Sequence, residues 1–250
     1  EKGYTGKGIT IALIDAPVDL SDPELAGANI TDKSRCTLEP SQTSSSHGNW
    51  MAALLVSRNY GVAPDATLYT YQAATDGAAS SGSCKQGAKE LDTIANLINQ
   101  AIDDGAQIIS ISLSSTESGP AIKWAIARAI NKGVIIVASS GNAAMDENSN
   151  HLGRWSGVVG VSAINTDGTF ASYSSWGNGV TTAAIGGPVT NRIPSSGEIH
   201  TTEGTSNATA LTSGMLALAR QKWPNATPNQ ILQSLVHSGL NPNHEWNKYT

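Results

Sequence analysis

Ile9-Thr10-Ile11-Ala12-Leu13-Ile14-Asp15 is the stretch that decides the fold. Six apolar or β-branched residues follow one another without alternation, as in a strand covered by helices on both faces, and parallel sheets are buried in that way. The run ends in a carboxylate, and open α/β sheets hold their sites at the carboxyl ends of strands. Asp15 could equally cap the turn that follows. Gly6 and Gly8 come before the strand, so a dinucleotide-binding fingerprint fails on position.

The same alternation of element types continues along the chain. Trp50, Met51, Leu54 and Leu55 predict a helix entered at Ser44-Ser45-Ser46-His47-Gly48, and Gly61-Val62-Ala63-Pro64-Asp65-Ala66 turns into a strand over 67–71. Leu91, Ile94, Ile98, Ala101 and Ile102 give a helix stopped by Gly105, and Ile108 to Leu113 a buried strand. Ser118 is the expected cap of a helix carrying Ile122, Ile126 and Ile130, with Pro120 in its first turn. Strands follow at 134–138 and 158–163, then a short apolar run at 180–185. Ala208, Leu211, Met215, Leu218 and Ala219 recur at helical steps and predict the buried face of a helix over 206–223. Thr227-Pro228-Asn229-Gln230 has the form of a capping box. Residues 26–46, 74–87 and 186–203 are polar and irregular, and read as loops. Strand, helix, strand, helix implies an α/β fold: three layers, a mostly parallel central sheet with helices on both faces. There is no internal repeat.

Composition sets limits. The 250 residues are 39% hydrophobic, which suits a single domain spanning 1–250. A net charge of -5 offers no basic patch, so nucleic acid is not an expected partner. No apolar run reaches membrane-span length and no signal peptide opens the chain at Glu1, so a soluble protein trimmed at both ends, with no membrane partner, is expected. Cys36 and Cys84 are too few for a disulfide scaffold or a four-ligand zinc site; either they pair or they are spectators. Pairing would close a loop of about 49 residues, worth roughly 4 kcal/mol, and imply an oxidising compartment.

The chemistry centres on Gly204-Thr205-Ser206-Asn207-Ala208-Thr209-Ala210. Ser206 falls in the first turn of a helix, where unpaired N–H groups and the dipole favour negative charge beside its oxygen. Serines there are also the usual N-caps. A hydroxyl becomes a nucleophile only when a base takes its proton, and the base needs a third group to hold its tautomer. Ser206, His47 and Asp15 supply these three types. Acyl transfer also needs a donor where the oxyanion forms, and Asn142, on a turn after a strand, offers an amide beside the Ser206 backbone N–H.

These residues resemble the subtilisin-like serine peptidases, whose triad runs in the order Asp, His, Ser. Thr10 to Val18 (TIALIDAPV) is similar to the family's aspartate strand, His47-Gly48 to its histidine motif, and Gly61-Val62-Ala63-Pro64 with Ala66 to its GVAPxA turn. Ser140-Gly141-Asn142 is similar to the oxyanion turn, and Gly204-Thr205-Ser206 with Ala208 to the nucleophile motif. The resemblance implies a secreted serine endopeptidase acting on peptide or protein substrates through Asp15, His47, Ser206 and Asn142; the sequon at Asn207, whose glycan would block that site, points to a bacterial source or an unmodified asparagine. It also implies that Ser112-Leu113-Ser114 and Ser139-Ser140-Gly141 flank a bound peptide and wall the pocket for the residue before the cut. An inhibitory pro-segment is a further partner it implies. No cofactor is required; calcium is an optional structural ion of the family, for which Asp22 matches a ligating position, although no complete oxygen cage is visible.

The departures from the family pattern bear on activity. Ser45-Ser46 and Asn49 stand where Asp-Gly and threonine are usual around the histidine, which would loosen its loop; Asn207 and Ala210 replace methionine and proline, which would leave the helix entry less constrained. They motivate the alternative of a catalytically degenerate domain that binds peptides as a scaffold. An esterase is disfavoured because G-x-S-x-G is absent at Ser206, and a serine-carboxyl peptidase because it needs glutamate where His47 stands. Asn29, Asn207 and Asn225 head glycosylation sequons, and a glycan on Asn207 would block the site. His151, His200, His237 and His244 show no partner pattern and read as surface or loop residues.

Overall fold

A computed structural model describes residues 3–35, 47–73, 85–86, 89–115, 117–146, 151–192 and 196–238. Cys36, Cys84, Ser44 to Ser46 and His244 lie outside them. In chain order the elements are β1 (Thr10–Asp15), β2 (Asn29–Asp32), α1 (His47–Val56), β3 (Thr67–Gln72), β4 (Lys85–Gln86), β5 (Lys89–Glu90), α2 (Ile94–Asp103), β6 (Ile108–Ile111) and α3 (Pro120–Asn131). There follow β7 (Ile135–Ser139), β8 (Val158–Asn165), β9 (Val180–Gly187), β10 (Val189–Arg192), β11 (Ile199–Thr202), α4 (Thr205–Lys222) and α5 (Pro228–His237).

Seven strands form one parallel sheet in the order β2-β3-β1-β6-β7-β8-β9. The chain builds outward from β1 to one side through β3, then crosses to the other through β6. That reversal is a topological switch point, and its crevice opens at the carboxyl end of β1, at Asp15.

The unbroken apolar run of β1 is explained by two cores. Ile9, Ile11 and Leu13 face α1, α4 and Ile231 of α5, whereas Ala12 and Ile14 face α2 and α3. Both faces are dry because successive strand residues point to opposite sides.

The central helix α4 corrects the expected buried stripe. Its buried face consists of Ala208, Thr209, Ala210, Thr212, Ser213, Gly214, Leu216 and Ala217, while Met215 is 45% exposed. Small residues win the inward positions because the helix lies against its neighbours with no room for large ones. A Cβ at Gly214 would come 2.6 Å from Val62 Cβ. The buried hydroxyls are satisfied within the helix: Thr209, Thr212 and Ser213 each donate to the carbonyl four residues back.

Some loops expected from polarity contain strands. Asn29–Asp32 pairs with β3 as the sheet's edge, whose exposed positions need no apolar residues. Residues 186–203 include the antiparallel pair β10 and β11, and Lys85–Gln86 pairs with β5. Ser118 is not the cap of α3; Gly119 takes that position without a side-chain bond. The capping box at Thr227 forms as expected, with Gln230 reciprocating.

Two substitutions test this architecture. Leu13→Ala empties a fully buried site between β1 and the α1/α4 layer and should cost about 2–5 kcal/mol. Thr227→Ala removes one exposed cap and should cost about 1 kcal/mol. Urea unfolding should show both as shifts in midpoint at unchanged slope.

Candidate active site

Asp15 is the last residue of β1 and its side chain is 1% exposed. Its Oδ1 accepts a bond from the Ala16 backbone N–H at 2.7 Å and lies 2.6 Å from His47 Nδ1. Oδ2 is buried without a partner among the described residues.

His47 reaches Asp15 because α1 begins against the exit of β1. Gly48 makes the approach possible: a Cβ there would lie 2.3 Å from the Ala16 carbonyl oxygen and 2.8 Å from that of Pro17. Asn49 fixes the other side. Its Oδ1 accepts from the Asp19 N–H at 2.9 Å, and its Nδ2 donates to Asp19 O and to Asp22 Oδ2 at 2.9 and 2.8 Å. The expectation that Asn49 loosens this region is therefore overturned; it is buried and ties α1 to the segment after β1.

Burial opposes a charged His47 ring, but the Asp15 charge and the hydrogen bond to it outweigh that cost and hold the pKa above the ordinary 6.5. With Nδ1–H donated to Asp15, the basic nitrogen is Nε2. The side chain is 28% exposed, so a reactant can reach it.

Ser206 is the second residue of α4. Its reading as an N-cap fails, because Gly204 holds that position. Thr205 directs the amide of Asn142: its backbone N–H and its hydroxyl both donate to Asn142 Oδ1 at 2.9 Å. The oxygen is committed to the helix, so Nδ2 is the end left to act as donor. A Cβ at Gly204 would begin 3.2 Å from that Nδ2 and 3.7 Å from the Ser206 backbone nitrogen. Glycine keeps the space around both N–H groups open.

Ser206 Oγ donates to the Ser112 carbonyl oxygen at 3.2 Å, and Ser112 Oγ returns a bond to the Ser206 carbonyl at 3.2 Å. A hydroxyl has one hydrogen. In this rotamer it is given to the end of β6 and not to His47. The structure thus brings together Asp15 with His47, Asn142 with the start of α4, and Ser206 with Ser112, all along the carboxyl edge of one sheet.

A model of the Peptidase S8 subtilase family matches residues 6–249. The chain belongs to the subtilase family. It is 31% identical over 240 residues to the thermostable alkaline protease of Halalkalibacterium halodurans, covering 94% of this chain and 63% of that protein. It is 29% identical to subtilisin E of Bacillus subtilis over 245 residues, again 94% of this chain and 61% of the relative. This chain thus spans under two thirds of the length of these relatives. Among solved structures, sphericase matches with a TM-score of 0.72 at 28% identity, covering 92% of this chain and 83% of that one. The prenylagaramide maturation protease PagA matches with a TM-score of 0.76 at 25% identity, covering 96% and 88%. The three-layer sheet is the subtilisin-like fold.

Ser112-Leu113-Ser114 and Ser139-Ser140-Gly141 leave the ends of β6 and β7, beside Ser206 and Asn142. Ser140 turns inward, donating to Ser175 O at 2.9 Å, 3.2 Å from Ser162 Oγ. Asn207 tightens the helix entry instead of relaxing it, since Nδ2 donates to Gly186 O at 2.9 Å and to Thr202 Oγ1 at 3.2 Å. At 2% exposed it is also closed to a glycan in the folded protein. His151 is not a free surface residue; it contacts Ser114 and Ser139. Its signal would have been the pair of serines, which are remote in sequence.

Asp22 does not fit calcium among the described residues. Two donors face its carboxylate, the Glu24 N–H at 3.0 Å and Asn49 Nδ2 at 2.8 Å, where a cation needs oxygens. No group of three or more His, Cys, Asp or Glu among the described residues is placed to hold a metal.

The His47 assignment is checked by NMR titration. The imidazole should titrate above pH 6.5, and Asp15→Asn, which removes the charge that raises it, should move the midpoint down. Gly48→Ala should separate α1 from β1 and shift the His47 titration in the same direction, with a stability loss of about 1–3 kcal/mol for overpacking.

Proposed function

We propose that this subtilase is a serine endopeptidase of extended peptide and protein segments, in which Asp15, His47 and Ser206 are the triad and Asn142 the oxyanion donor. The 2.6 Å contact between buried Asp15 and reachable His47, on the sheet edge that also carries Ser206 and Asn142, is the observation that carries it. Ser206 Oγ turns from the Ser112 carbonyl to His47 Nε2 and attacks the peptide carbonyl as Nε2 takes its proton. Negative charge on the former carbonyl oxygen is met by Asn142 Nδ2 and the Ser206 N–H, already oriented before reaction. His47 then gives its proton to the leaving amine, which departs, and water hydrolyses the ester on Ser206 with His47 again as base. Asp15 holds the tautomer and balances the imidazolium.

The reading uses no cofactor. An extracytoplasmic setting and an inhibitory pro-segment, both implied by the family resemblance, are further parts of the proposal. No helix among the described residues is long and apolar enough to cross a membrane.

One observation favours the peptide-binding scaffold instead: the Ser206 hydrogen is given to Ser112. A fluorophosphonate probe separates the two. The peptidase should be labelled at Ser206, located by peptide mass spectrometry, and Ser206→Ala should lose the label; a folded protein that stays unlabelled favours the scaffold or a site that needs further chain or a partner to form.

Activity should follow the neutral imidazole. Because Asp15 raises the His47 pKa, kcat/KM should climb with pH through a midpoint above 6.5 and level off on the alkaline side. Asp15→Asn should lower kcat by about 10⁴-fold. Asn142→Ala should lower kcat by about 10²–10³-fold, a magnitude carried over from the family's own oxyanion asparagine, with KM little changed.

A further inference from the structure

The amino end of the sheet, opposite the edge that holds Asp15, contains a cavity of about 200 Å³. Its walls come from the residues that lead into β1, from Gln107 just before β6, and from the last turn of α4 with Trp223 after it. Along α4, at 1.5 Å per residue, Arg220 in this wall is roughly 21 Å from Ser206.

Two glutamines set the chemistry of the cavity. Gln221 Oε1 accepts the backbone N–H groups of Thr5 and Gly6, each at 2.8 Å, and Gln107 Oε1 accepts that of Thr10 at 3.0 Å. These bonds decide the orientation of both amides: the oxygen is committed to the backbone, and the NH2, which can only donate, remains. Neither NH2 has an acceptor among the described residues.

Arg220 adds a charge. It donates from Nη2 to the Gly133 carbonyl, while its Nε is buried with no acceptor among the described residues. It forms no ion pair among them either, and burial pushes its pKa below the ordinary guanidinium value. A partly buried cation without a counter-charge is costly to keep. Lys7 brings a second positive charge. That charge also acts on Asp65, which does not line the cavity and is already paired with Arg58. Lys222 brings a third, with Nζ 4.0 Å from the centre of the Trp223 ring. No acidic side chain among the described residues lines the cavity.

We propose that this cavity binds a small oxyanion, a phosphate or a carboxylate, through Arg220, Lys7 and the amide NH2 groups of Gln107 and Gln221. Guanidinium and amide donors around one space suit a group with several acceptor oxygens, and the ion supplies the charge that Arg220 lacks. Bound there, it ties the entry of β1 to the end of α4.

The test is isothermal titration calorimetry of the whole chain with inorganic phosphate and, separately, with citrate, at ionic strength held constant with potassium chloride. One ion should bind per chain. Gln221→Glu keeps an oxygen for Thr5 and Gly6 but puts negative charge in place of the NH2, and should weaken binding by about tenfold or more; Arg220→Leu should do the same. Lys7→Ala, an exposed change that leaves the core intact, should weaken it by about threefold. In thermal unfolding with ligand a hundredfold above its Kd, the Tm of the unmodified protein should rise by about 5–10 °C, and that of Gln221→Glu should stay in place. Binding of phosphate alone marks a phosphate ligand and binding of citrate alone a carboxylate; either result, or both, supports the site. Heats that do not saturate, or saturating binding that neither Gln221→Glu nor Arg220→Leu weakens, overturn it.

Discussion

The approach of one backbone to another at Gly48 is the constraint on which the site depends. Helix α1 starts within van der Waals distance of the Ala16 and Pro17 carbonyls, and nothing but hydrogen fits between them. This contact converts two remote stretches into a 2.6 Å bond between Asp15 and His47. The same device recurs at Gly153 on the end of β7, while Gly204 and Gly214 make room for the side chains of Asn142 and Val62. Small residues at these positions let several chain segments converge, among them those that carry the proposed triad.

Much of the architecture was legible because its signals are local. The unbroken run of β1 reported burial on both faces, and the strand-helix alternation reported a parallel sheet. Thr227 announced its capping box through spacing alone. The edge strand β2 was not legible, because an exposed strand carries no apolar pattern to read. Nor was the inward face of α4, where Thr, Ser and Ala outrank Met215; periodicity weighs residues by hydrophobicity, whereas the packing selects by size.

The site divides along the same line. Asp15, His47, Asn142 and Ser206 stand in motifs a few residues long, so their types and order could be read. How they are held could not. Asn49 and Asn207 read as departures from a pattern, yet each is buried and makes several bonds that stiffen the chain beside a residue of the proposed triad. His151 had no sequence signal because the two serines it contacts lie 37 and 12 positions away, Ser114 beyond the end of β6 and Ser139 at the end of β7.

The loop that leaves β6 has a second attachment. Glu117, three residues beyond Ser114, accepts bonds from the backbone N–H groups of Ile94 and Ala95 at 2.5 and 3.0 Å, at the start of α2. A carboxylate there satisfies orphan donors and complements the helix dipole. The segment after Ser114 is consequently clamped to a helix whose own cap is Thr93, so displacing Glu117 would leave the Ile94 and Ala95 N–H groups without their carboxylate partner. For the peptide substrate proposed above, such a tether places the entropic cost of ordering this segment on folding instead of on each encounter.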